Sequence, residues 1–247
     1  MSNFKREHHK HYSQSLCRDM EYKVYGEGGH PVMVFPPQDG RFFDYENFGM
    51  IEALAPWIES GKIRVISVDS VDKDSWSAVG GNIQQRIDLQ ERWFNYIINE
   101  LIPVVSTPGE TFIATGCSMG AFHAANFFFR RPDLFDTTIS LSGFYHADFF
   151  FGLNYNNSMV YDNSPLDFLP NMPDNHPYIE LYRKRNIIIC VGQGAWEEDM
   201  IDSTRRLEKV LQEKGIPAWI DYWGHDVNHD WPWWLKQIVY FIPKVLE

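Results

Sequence analysis

The spacing of apolar positions changes period repeatedly along this chain. Pro31–Phe35 (PVMVF), Ile63–Val68 (IRVISV) and Ile187–Val191 (IIICV) are short, nearly continuous apolar runs, as expected of strands covered on both faces. Thr111–Thr115, Thr138–Leu141 and Ala218–Tyr222 read as further strands. Between them the period lengthens. Phe48–Glu59 is helical and closed by Gly61, and Ile87–Val105 carries Leu89, Trp93, Tyr96, Ile97 and Leu101 at helical spacing. Met119–Phe129 stops before Pro132, Ser203–Lys214 is closed by Gly215, and Trp233–Leu246 forms a last helix. At the start, Tyr12–Leu16 and Met20–Tyr25 read as an antiparallel pair around Cys17-Arg18-Asp19. This alternation predicts an α/β fold: a mostly parallel central sheet, antiparallel N-terminal strands and helices on both faces.

No repeat, linker or low-complexity tract divides the chain, so a single domain over 1–247 is expected. One segment breaks the rhythm. Residues 144–186 are rich in Asn, Pro and aromatics and weakly periodic. A connection that long is usually functional, and it is predicted to be a cap-like insertion over the carboxyl edge of the sheet.

Composition narrows the chemistry. Hydrophobic residues make up 44% of the chain and charged ones 22%, enough for a packed core. A net charge of -11 argues against binding a phosphate backbone, so no nucleic-acid partner is expected. No apolar run approaches a membrane span, and the basic start MSNFKREHHKH lacks the apolar stretch of a secretory signal. The three cysteines, Cys17, Cys117 and Cys190, are odd in number and widely spaced. They suggest neither a disulfide framework nor a metal site, and a cytoplasmic location is the default expectation. His8, His9 and His11 read as part of a solvated terminus, because no second ligand set is nearby. No metal and no other cofactor is expected; a homo-oligomer remains compatible with the sequence.

The chemistry concentrates at Gly116-Cys117-Ser118-Met119-Gly120. It fits G-x-S-x-G and sits between a predicted strand and a predicted helix. At such a turn the serine hydroxyl is pushed out at the sheet edge. Cys117, the preceding residue, should point the opposite way, into the core. A serine hydroxyl needs a base to take its proton. Of nine histidines, His229 is favoured because it lies in the loop between the last strand and the last helix. His225 is its rival, while His123 reads as packed within a helix. The acid that orients the imidazole should follow Ile187–Val191, where Glu197, Glu198 and Asp199 stand together; chemistry alone leaves all three open. Two backbone N–H donors for an oxyanion should come from Met119 and from the loop Pro36-Pro37-Gln38-Asp39-Gly40. Prolines cannot donate, so Gln38 or Asp39 supplies the second, with Gln38 preferred.

These residues resemble the α/β-hydrolase esterase family that includes esterase D, ferric-enterobactin-type esterases, feruloyl esterases and the mycobacterial mycolyltransferases. The resemblance runs over nearly the whole chain. Beyond Gly116–Gly120, its most specific part is Tyr222-Trp223-Gly224 followed by His229-Asp230-Trp231 and Trp234. It implies an acyl-enzyme on Ser118 with His229 as base. Many members carry Asp as the acid; here Glu stands in that region. The mycolyltransferase spacing, a Glu four residues after the second glycine of Gly-x-Gly, carries onto Gly192-Gln193-Gly194 and implies Glu198, then Glu197. Asp226-Val227-Asn228 replaces the glycines more usual before this histidine and should stiffen its loop.

The sequence thus points to a serine carboxylic-ester hydrolase with a Ser118-His229-Glu198 triad, acting on a small-molecule ester. An acyltransferase would use the same triad with an alcohol in place of water. A non-catalytic binding protein on this fold would usually have lost one member, and candidates for all three are present.

Overall fold

The computed structural model describes residues 2–153 and 155–246. Asn154, within the 144–186 segment, and Met1 and Glu247, the ends of the expected 1–247 domain, lie outside them.

Among the described residues, eight strands form one sheet in the order β1-β2-β4-β3-β5-β6-β7-β8. These are β1 Arg6–Ser13, β2 Arg18–Tyr25, β3 His30–Phe35, β4 Ile63–Val68, β5 Phe112–Cys117, β6 Phe135–Leu141, β7 Asn186–Val191 and β8 Trp219–Tyr222. β2 is antiparallel to both β1 and β4, and every other pair is parallel. Successive side chains serve opposite faces. Met33, Phe35, Ile66, Val68, Phe112 and Ala114 join the core on one side, under helices Ile83–Asn95, Met119–Arg130 and Glu198–Glu213. Val32, Val34, Ile63, Val65 and Ile113 join the other, under helices Met50–Glu59 and Trp231–Val245. Both faces being covered explains why the central strands read as unbroken apolar runs.

The elements differ from the sequence reading mainly where polar residues hide the period. β1 begins at Arg6, so His8, His9 and His11 belong to a strand and not to a loose terminus. They pair with Lys23, Tyr22 and Met20. The His9 ring stacks on Tyr22 at 4.8 Å and the His8 ring on Phe42 at 5.0 Å. His9 and His11 are half-buried on one face of the strand, while His8 on the other face is exposed. Helix Met50–Glu59 starts after Gly49, whose φ of 86° turns the chain in from a separate short helix, Asp44–Asn47. Helix Ile83–Asn95 continues through a π-helical segment, Tyr96–Leu101, into a last turn, Ile102–Val105. Helix Glu198–Glu213 begins five residues before the expected Ser203, because its first turn is acidic and exposed.

Among the described residues of 144–186 lie four helices of four to seven residues: Asp148–Phe151, Ser158–Asp162, Pro165–Asn171 and Pro177–Tyr182. None is long enough to show a period. Leu166, Leu169, Ile179 and Tyr182 extend the core beside helix Met119–Arg130. Phe144, Phe150, Phe151 and Val160 form a separate cluster with Trp76 and Phe122.

Phe127 is the centre of the larger core, fully buried and stacked on Phe35 at 4.7 Å, with Trp93 edge-on at 5.3 Å. Phe127→Ala is expected to lower the unfolding free energy by about 3–5 kcal/mol, measured by urea denaturation. Val239→Ala, on the exposed side of the last helix, should change it by less than about 0.5 kcal/mol.

Candidate active site

The polar residues of interest gather at the carboxyl ends of the parallel strands. Ser118 follows β5, Ser142 follows β6, Glu197 lies after β7 and His229 after β8. Ser118 has φ 55° and ψ -122°, a conformation unfavourable for a residue with a side chain. Two glycines make it attainable. A Cβ on Gly116 would lie 2.3 Å from the Gly120 carbonyl carbon, and one on Gly120 would lie 2.2 Å from the Phe35 carbonyl oxygen. Strand, turn and helix are therefore in direct backbone contact, and the loop after β3 runs over the start of the helix. The Ser118 N–H is anchored on the Leu141 carbonyl at 2.9 Å.

The loops after β7 and β8 are laced together. Gly194 N–H donates to the Val227 carbonyl at 2.8 Å, His229 N–H to the Ala195 carbonyl at 3.0 Å, and Ala195 N–H to the Asn228 side-chain oxygen at 2.9 Å. Val227 is buried beneath them. This lacing presents the half-buried His229 ring between two partners. Nε2 lies 2.9 Å from Ser118 Oγ and Nδ1 3.2 Å from Glu197 Oε2. With the Nδ1 hydrogen on the carboxylate, Nε2 is free to accept the hydrogen of the serine hydroxyl.

The carboxylate beside His229 is thus Glu197, a correction to the expected Glu198. The cause is local. Trp196, in the turn just before Glu197, has φ 68°, a left-handed backbone. Trp196 is left 81% exposed, while the Glu197 side chain turns inward and is fully buried. Glu198 opens the following helix and, like Asp199, faces solvent, where both suit the positive end of the helix dipole. The structure brings Ser118 and His229 together as expected. Of the other candidate histidines, His225 is exposed, His123 is buried against Asp72 at 2.9 Å, and His146 pairs with Asp167 and Asp148. The hydrogen bond that the His146 ring donates to Asp167 raises the His146 pKa and favours its charged form.

Sequence reasoning missed Ser142. Its hydroxyl lies 2.6 Å from the second Glu197 oxygen, Oε1, and accepts the Trp234 indole N–H at 3.0 Å. The only signal was its place at the end of a strand beside β5, shared by many structural serines.

Of the expected oxyanion donors, Met119 is the first helical residue after Ser118 and is buried. Gln38 is exposed in a turn closed by Gly40 N–H on the Pro37 carbonyl at 2.8 Å, and its side-chain amide donates to Ser77 Oγ at 3.1 Å. Cys117 faces the core, with Sγ 3.3 Å from the Tyr45 hydroxyl. Burial raises its pKa and keeps the thiol protonated. A cavity of about 360 Å³ opens between the start of the 144–186 segment and helix Glu198–Glu213, lined by Phe144, Phe149, Leu153, Asp202 and Arg206 among others. Among the described residues, no group of three or more His, Cys, Asp or Glu is placed to hold a metal ion, and no helix is long and apolar enough to cross a membrane.

The strand order, the glycine-flanked turn at Ser118 and the chain order of these residues define an α/β-hydrolase. The chain belongs to the Esterase family, described as "Putative esterase", whose model matches residues 13–244. The protein is therefore an esterase, with chemistry of the ester hydrolysis or acyl-transfer type. No curated protein matches it by sequence. Solved structures share the fold at low identity. A ferulic acid esterase is 14% identical over 98% of both chains, with a TM-score of 0.75. FphF, a fluorophosphonate-binding serine hydrolase of Staphylococcus aureus, is 16% identical over 99% of both, with a TM-score of 0.73. The S-formylglutathione hydrolase FrmB of Staphylococcus aureus is 14% identical over 100% of both, with a TM-score of 0.72.

The backbone contact at Gly120 has a measurable consequence. Gly120→Ala should lower stability by about 1–3 kcal/mol through overpacking against the Phe35 carbonyl. Gly28→Ala, where an added Cβ meets nothing within 4 Å, should leave the urea midpoint within about 0.5 kcal/mol of the parent.

Proposed function

We propose that the protein hydrolyses carboxylic esters through an acyl-enzyme on Ser118, with His229 as general base and acid and Glu197 as the orienting carboxylate. The observation that carries this reading is the continuous hydrogen-bonded chain Ser118–His229–Glu197. Ser118 Oγ attacks the ester carbonyl carbon as its proton passes to His229 Nε2. The carbonyl oxygen becomes an oxyanion, with the Met119 and Gln38 backbone N–H groups as its donors. Collapse breaks the bond to the alcohol oxygen, which leaves with the proton from His229. Water then attacks the acyl-enzyme, gives a proton to His229, and the free acid departs as Ser118 recovers its hydrogen. Throughout, the Glu197 carboxylate fixes the tautomer and stabilises the imidazolium. Ser118 is half-exposed, so water has access as the acceptor.

The 144–186 segment acts as a cap-like wall of the substrate site. Its exposed Phe149 and Leu153 offer apolar surface that suits a small neutral or aromatic-bearing ester. The free thiols of Cys17, Cys117 and Cys190 suit a reducing compartment such as the cytoplasm.

Ser118→Ala is expected to lower kcat/KM on an aryl acetate by about four orders of magnitude or more and to abolish fluorophosphonate labelling. Retention of more than about 1% of activity in a clean preparation would reject the nucleophile. Glu197→Gln should lose about two to four orders of magnitude, because an amide favours the wrong tautomer, while Glu198→Gln should stay within about twofold of the parent. The reverse ranking would return the acid to Glu198.

A further inference from the structure

A glutamate carries its carboxylate on one more rotatable bond than an aspartate does, so more is needed to hold it in one orientation. Here both oxygens are occupied. Oε2 faces His229 Nδ1 at 3.2 Å and Oε1 receives the Ser142 hydroxyl at 2.6 Å, with the whole side chain out of solvent. Ser142 is itself fully buried and has φ 57°, a left-handed backbone unusual for serine. Its N–H is tied to the Cys190 carbonyl at the end of β7 at 2.7 Å. Behind it stands Trp234, whose indole Nε1 lies 3.0 Å from Ser142 Oγ. The same indole meets the His229 ring edge-on, at 4.9 Å between centroids and 87° between planes.

The direction of these bonds is fixed by the groups involved. An indole N–H can only donate, so Ser142 Oγ accepts from Trp234. The single hydroxyl hydrogen is then available to Glu197, whose ionised carboxylate can only accept.

We propose that Ser142, backed by Trp234, is a positioning residue that keeps Glu197 ionised and aimed at His229. This rests on the Ser118–His229–Glu197 reading. His229 can take the serine proton only when the Glu197–His229 pair carries a net charge of -1. A donor on Oε1 favours that state over the state holding one more proton. The other titratable groups facing Glu197 are Tyr145 and Cys190, both kept protonated by burial. The acid limb of kcat/KM therefore reports on the pair.

The test compares Ser142→Ala, Ser142→Gly, Trp234→Phe and the Ser142→Ala/Trp234→Phe double variant. Each is assayed on an aryl acetate across pH and by its rate of fluorophosphonate labelling. Both Ser142 variants should lose about tenfold to a hundredfold in kcat, as expected for a hydrogen bond to a charged group, with KM within about twofold. Their acid limbs should move to higher pH by about half a unit or more. Trp234→Phe should shift the limb the same way with a smaller loss. The double variant should be no more than about twofold worse than Ser142→Ala alone, since the indole acts through the hydroxyl. Ser142→Gly relieves the backbone strain while removing the hydroxyl. If it keeps parental activity and an unmoved acid limb, the proposal is overturned and Ser142 serves only the fold. Should Ser142→Ala fail to fold, Ser142→Gly and Trp234→Phe decide the matter. Labelling separates the two levels of the argument: a parent enzyme not labelled at Ser118 sinks the triad reading and the relay together. A labelled parent whose Ser142 variants react at the parental rate sinks the relay alone.

Discussion

Everything at this site depends on a backbone contact between three segments. Gly116 ends up against Gly120, and Gly120 against the Phe35 carbonyl, with no room for a Cβ at either glycine. Only because these segments meet so closely can Ser118 occupy its left-handed turn, half-buried at the carboxyl edge of the sheet. The strain at Ser118, of order 1–3 kcal/mol, is held in place by a rigid surround. β5 lies between β3 and β6 in the sheet, and helix Met119–Arg130 buries eleven of its twelve residues. A serine on a looser turn would have other rotamers and backbone states available, and the 2.9 Å contact with His229 would be one geometry among several.

The histidine and its carboxylate are placed by a different device. Neither sits on a helix or strand. They lie on two loops laced by hydrogen bonds between Gln193, Gly194 and Ala195 on one side and Trp223, Gly224, Val227, Asn228 and His229 on the other. A Cβ on Gly192 would lie 2.2 Å from the Val227 carbonyl oxygen, so here too glycine permits the close approach. Two loops laced in this way behave as one unit, and a single left-handed residue, Trp196, decides which side chain of that unit faces inward. The result is a buried carboxylate with a partner on each oxygen, the condition under which burying a charge is tolerable.

Much of this was legible in the sequence. The strand expected at Ile63–Val68 is β4, residue for residue, because an apolar run bounded by Gly61 admits few other readings. The elbow at Ser118 and the loop carrying His229 were legible because strand, turn and helix leave separate marks around them. What escaped shares a physical cause. β1 is built from stacked imidazoles on a half-exposed sheet edge, which leave no apolar alternation. The start of helix Glu198–Glu213 is polar and solvated. The choice of Glu197 over Glu198 turns on the backbone angle of Trp196, which no pattern of side-chain types announces. Ser142 gains its role only from neighbours distant in sequence, Glu197 and Trp234.

The mechanism rests on Ser118 carrying the acyl group and on His229 taking the serine proton as that bond forms. Rapid acid quenching of the enzyme with an aryl acetate, followed by peptide mass spectrometry, addresses this directly. An acetyl group is expected on Ser118, formed in the first turnover and absent from His229→Ala at the same time point. No acetylated peptide within the first turnover, or acetylation at Cys117 or another residue in place of Ser118, would contradict it.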